Sequence, residues 1–79
     1  MHWPAAYAAY NVFRRRQYPA LRCAVRQDRP VPGFIHGVIW EYGGTVMEER
    51  PPEGFQPDAA QAATESAGYY LFRAPGGRA

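Results

Sequence analysis

The chain has no lysine, a single cysteine, one serine and two threonines, and each scarcity removes a class of function. With Cys23 alone, no internal disulfide can staple the fold, and a lone thiol fits a reducing compartment. Three candidate ligands, His2, Cys23 and His36, follow no recognised metal-binding spacing, so no metal is expected. No apolar run reaches the roughly 18 residues of a membrane span. The apolar stretch of residues 3–13 precedes Arg14-Arg15-Arg16, whereas a secretory signal places its basic residues first. A cytoplasmic location is therefore expected.

Nucleophilic chemistry has little to work with. Cys23 and His36 would pair if adjacent strands brought them together, but a small buried cysteine beside a structural histidine is the heavier expectation. Glu48 and Glu49 are neighbours on a strand and point to opposite faces, so they form no two-carboxylate site. Gly43-Gly44 and Gly76-Gly77 lack the flanking residues of a phosphate loop. No enzyme, cofactor or metal site is expected.

What is present is arginine. All nine basic side chains are Arg, and with the abundant alanine this suggests a high-GC bacterial or phage coding sequence. Residues 1–30 carry six Arg and one Asp, a surplus of +5, whereas residues 31–79 carry three Arg and six acids, a balance of −3. Such a split predicts a basic face and an acidic face, not the uniformly basic profile of a dedicated DNA binder. Arg14, Arg15, Arg16, Arg22, Arg26 and Arg29 are the candidate contacts, because guanidinium groups pair in two-pronged fashion with carboxylates and phosphates alike.

Seventy-nine residues make one small domain with little core to spare, expected to be ordered over residues 4–72 with a mobile tail at 73–79. Pro4 and the following alanines predict a helix over residues 4–17, closed by Tyr18-Pro19. Leu21, Cys23 and Val25 alternate with Arg22, Ala24 and Arg26, which predicts a strand over 20–28. Residues 34–42, rich in aromatic and β-branched side chains, predict a second strand. Gly43-Gly44 predicts a tight hairpin turn leading into a third strand, residues 45–50. A second helix is expected from Pro57-Asp58 to about Phe72, with Ala59, Ala63 and Ala67 on its inward face.

The predicted fold class is α+β, α-β-β-β-α: a three-stranded antiparallel sheet with two helices packed on one face. In that arrangement the central strand is apolar on both sides, Phe34, Val38, Trp40 and Tyr42 on one and Ile35 and Ile39 on the other. The face no helix covers exposes either the large aromatics or the two isoleucines. A patch of this kind marks an interface. Trp3, at the terminus of an aromatic-rich helix, joins it as a candidate anchor.

The order and spacing over residues 4–72 resemble the double-stranded RNA-binding domain. The resemblance rests on the Pro19-led first strand, the second strand ending at Gly43-Gly44, and small residues Ala59, Ala63, Thr64 and Ala67 in the last helix. It implies an α-β-β-β-α fold and, in that family, RNA phosphates bound by lysines at the start of the last helix. Here those positions hold Gln56, Pro57 and Ala60, with Asp58 among them, and the connector at residues 29–33 is shorter than the family's groove-reading loop. Family members without the lysines act in protein–protein contacts.

The resulting expectation is a non-catalytic protein-interaction module. A concrete version is a small phage or mobile-element inhibitor that blocks a host complex, as anti-CRISPR proteins do, with a homodimer formed through the open sheet face. The alternative is a nucleic-acid-binding regulator that uses the Arg-rich half.

Overall fold

A computed structural model of the chain describes residues 8–75. Its elements run β1 (Ala9–Arg15), β2 (Leu21–Arg26), β3 (Trp40–Met47), α1 (Pro57–Ala67) and β4 (Tyr70–Arg73). All pairings are antiparallel, and the strands lie in the order β3-β1-β2-β4. The fold is therefore α+β, but with four strands and one helix among the described residues, not three strands and two helices.

Three local differences produce this correction. Where residues 4–17 predicted a helix, the described part forms β1. Tyr10 and Val12 are almost wholly buried on one side, while Asn11 and Phe13 face the other, so period-two burial overrides the weak helical preference of the neighbouring alanines. Residues 4–7, the rest of that expected helix, lie outside the described residues.

The second difference is at Gly43-Gly44, which turns no hairpin. β3 runs straight through the pair, and the register against β1 shifts there, Asn11 facing Thr45 and Phe13 facing Tyr42. One extra residue on β3 is accommodated as a β-bulge, for which Gly44 adopts φ 112°. Residues 34–39, expected to begin the central strand, instead complete a connector that leaves β2 and enters β3 at Trp40.

Third, the helix stops early. Gly68 takes a left-handed conformation, and its N–H donates to the Ala63 and Thr64 carbonyls, a C-terminal cap. The aromatic run after it then pairs with β2, Ala24 facing Tyr70 and Arg22 facing Phe72. At the other end of α1, Pro57 occupies the first turn with Asp58 beside it, as expected.

The sheet is covered on both faces. On one, α1 and the loop before it bury Tyr10, Val12, Ala24, Phe55, Ala60 and Phe72. Phe55 lies edge-on to Tyr10, Tyr70 and Phe72, each with ring centroids 5.2 Å apart. The Tyr10 hydroxyl donates to Glu48, which also accepts from Gln61 and from the Ala8 N–H. On the opposite face Cys23, Val25 and Trp40 form a second cluster with Phe13, Leu21, Ile35 and Tyr69. Its cover is the connector, whose Phe34 packs edge-on against Tyr69. The face expected to be open is thus largely closed by residues from the segment read as its central strand. No helix among the described residues is long and apolar enough to cross a membrane.

Candidate interaction surface

β1 ends at Arg15, and the chain there meets the last turn of the connector. The Arg16 N–H donates to the Ile39 carbonyl at 2.8 Å, and the Ile39 and Trp40 N–H groups both donate to the His36 carbonyl. Arg16 also donates through Nε to the Gly37 carbonyl at 2.8 Å and through a terminal nitrogen to Glu41 at 3.1 Å. Arg14 Nε reaches the other Glu41 oxygen at 2.9 Å. The turn at residues 36–40 is therefore fastened to β1 by backbone and side chain together.

Fastened in this way, the turn holds apolar side chains in solvent. Val38 is 86% exposed and Ile39 39%. Beside them the Arg15 guanidinium sits over the Trp40 ring, 5.6 Å from its centroid, an orienting cation–π contact. Arg15, Arg16, Gln17, Val38 and Ile39 surround a shallow hollow of about 170 Å³. Over this end of the sheet, counting both faces, the charge is one-sided. Arg14 faces Arg22 directly across the β1–β2 pair, Arg22 Nε donates to the Pro19 carbonyl, and Arg73 lies over Tyr18. Glu41 is the one carboxylate that the described residues bond to these arginines.

The structure thus divides the residues singled out from sequence. Arg14, Arg15, Arg16, Arg22 and Ile39 lie at this end of the sheet, Arg15 on the Trp40 face and Arg14 and Arg22 on the opposite one. Arg26 and Arg29 do not join them, because β2 runs antiparallel to β1 and carries them to the opposite end of the sheet. Arg26 faces Tyr10 there and bonds Asp28 at 2.7 Å, a hydrogen bond that holds the Asp28 carboxyl below its usual range. Arg29 borders a separate hollow with Pro30, Val31, Pro32 and Tyr69. Ile35 is half-buried in the second cluster, and Trp3 lies outside the described residues. Val38 and Gln17 were missed. Two prolines and two glycines among residues 29–37 were the available signal that this stretch is a loop with an exposed tip.

Cys23 and His36 are not brought into a reactive pair. Cys23 is fully buried and His36 exposed, and no hydrogen bond joins them. Burial pushes the Cys23 thiol up to about 12, so thiolate forms far more readily in the unfolded chain than in the folded one. Two results are expected. A thiol reagent at pH 8 should label Cys23 at a rate that tracks unfolding in urea. Stability should be unaffected by this group below the ordinary thiol range and should fall as pH rises from about 9 towards 12, because there the unfolded chain binds fewer protons. A Cys23→Ala variant measured by denaturation across that range should lose less stability than the parent. Rapid labelling of native protein would contradict the buried placement.

No family model, curated protein or solved structure matches the chain.

Proposed function

We propose that this chain is a non-catalytic protein-interaction module that acts by binding and blocking, in the manner of small phage or mobile-element inhibitors of host complexes. The observation that carries the reading is Val38. An aliphatic side chain left 86% exposed in a turn tied down by Arg16 has no folding role to explain it. Rigid apolar groups beside arginines are the composition of binding hot spots, since such a surface loses little conformational freedom on association.

The test is to capture a partner on the tagged chain from source cells, purify it, and measure its affinity for variants. Val38→Asp leaves the core untouched and is expected to weaken binding at least about tenfold, or about 1.4 kcal/mol. Leu71→Asp, an equally conservative change on the exposed far edge at β4, should leave binding unchanged. Binding indifferent to Val38→Asp would overturn the reading.

A second reading, a nucleic-acid-binding regulator, is supported by the directly opposed Arg14 and Arg22, a like-charge pair that an anion would relieve. Phosphate contacts would make affinity fall steeply with salt.

A further inference from the structure

Resting on the interaction reading, we infer that the partner is a protein presenting an acidic segment with an aliphatic side chain. Its carboxylate pairs with Arg15, and the aliphatic group enters the hollow beside Val38 and Ile39.

The inference begins with Arg15. Its guanidinium carbon lies 5.6 Å from the centroid of the Trp40 ring, and no hydrogen bond joins its N–H groups to another of the described residues, so they are open to an acceptor. A guanidinium with its N–H groups free in this way can form a two-pronged bond to a carboxylate. Among the described residues Arg15 has no ion-pair partner, whereas Arg14 and Arg16 share Glu41. The basic charge gathered at this end therefore exceeds the one carboxylate bonded within it, which selects an acidic counterpart.

The second half is steric and chemical. The hollow of about 170 Å³ has room for one side chain, and its lining is mixed, with Val38 and Ile39 supplying apolar contact beside the polar Arg15, Arg16 and Gln17. A phosphate backbone would use the arginines but leave the exposed Val38 and Ile39 without an apolar partner. An acidic peptide can satisfy both features with neighbouring residues.

The experiment titrates the ¹⁵N-labelled full chain with a short synthetic peptide of glutamates interrupted by one leucine. Amide shifts are expected at Arg15, Arg16, Gln17, Val38 and Ile39. Affinity should drop about tenfold when the glutamates are replaced by glutamine, and by a similar factor when the leucine becomes serine. Arg15→Gln should abolish the shifts, while Arg15→Lys should keep the charge and lose most of the affinity. Equal binding of the glutamine peptide, shifts centred elsewhere, or tighter binding of a short RNA duplex would each overturn the inference. If the acidic peptide fails while the captured partner still depends on Val38, the acidic-segment inference falls and the interaction reading stands. If neither depends on Val38, both fall.

Discussion

Replacing Gly54 by alanine is expected to cost about 2–6 kcal/mol and to lower the melting temperature by about 10 °C or more. Two effects coincide at this residue. Its φ of 91° is one that a residue with a Cβ adopts only under strain. In addition, a Cβ built there would run into the Arg73 carbonyl oxygen and come within 2.9 Å of Pro75 Cδ. The obstruction is backbone at the end of β4, so no side chain can swing aside. The loop would have to lift, and Phe55, the next residue, would be drawn from among Tyr10, Tyr70 and Phe72.

For a chain of this size the whole stability is roughly 4–12 kcal/mol, so the substitution removes a large fraction of it. Two other glycines calibrate the result. Gly44 has φ 112° but open space around it, so Gly44→Ala should show strain alone, about 1–3 kcal/mol. Gly37 has open space and no left-handed φ, and Gly37→Ala should fall within about 0.5 kcal/mol of the parent. Urea denaturation followed by circular dichroism reads all three. Equal effects at Gly54 and Gly37 would mean that the loop does not pack against β4.

The same loop shows why the fold was only partly legible from sequence. Where structure is decided locally, the sequence pattern was sufficient: Leu21, Cys23 and Val25 alternate as β2 does, and Pro57-Asp58 opens α1. Where distant pairing decides, local propensity pointed elsewhere. The alanines before Tyr10 favour a helix in isolation, but burying Tyr10 under Phe55 requires a residue more than forty positions away. Gly43-Gly44 is a turn signal in a free hairpin and a bulge once β1 lies alongside. Gly68 did carry a readable helix-stop signal, yet the expectation continued through it to Phe72.

The candidate surface divides along the same line. Arg15, Arg16 and Ile39 were recognisable by residue type. Their convergence was not, because it depends on residues 36–40 folding back on the end of β1. Arg26 and Arg29 were grouped with them for sharing one half of the chain, and antiparallel pairing separates what sequence proximity joins. Val38 was placed in a strand, on the side of Phe34, Trp40 and Tyr42, and was not singled out. As the tip of a fastened turn it is instead the most exposed of the large apolar side chains described.

Trp40→Ala is expected to cost about 3–5 kcal/mol, the usual range for truncating a buried aromatic. Trp40 is 5% exposed, belongs to the cluster of Cys23 and Val25, and lies 6.2 Å from the Phe34 ring. It is therefore a central contact, beside those of Phe34 with Tyr69 and of Ile35, between the connector and the sheet face the connector covers. Its neighbour Tyr42 is 57% exposed, and Tyr42→Ala should cost under about 1 kcal/mol. A purely thermodynamic loss would not separate damage to the connector from damage to the sheet, but Cys23 does. If Trp40 holds the cover down, Trp40→Ala should let a thiol reagent reach Cys23 in native buffer at a rate well above that of the parent, while Tyr42→Ala should not. Trp40→Phe keeps a ring in place and should restore protection of Cys23. It should also weaken the stacking of Arg15, since indole is the better cation–π platform. In combination with Arg15→Ala, it should show a coupling of about 0.5–1 kcal/mol in a double-mutant cycle. Additive effects of the two changes would mean that Arg15 is not oriented by Trp40, and the carboxylate-binding geometry inferred for it would lose its physical basis.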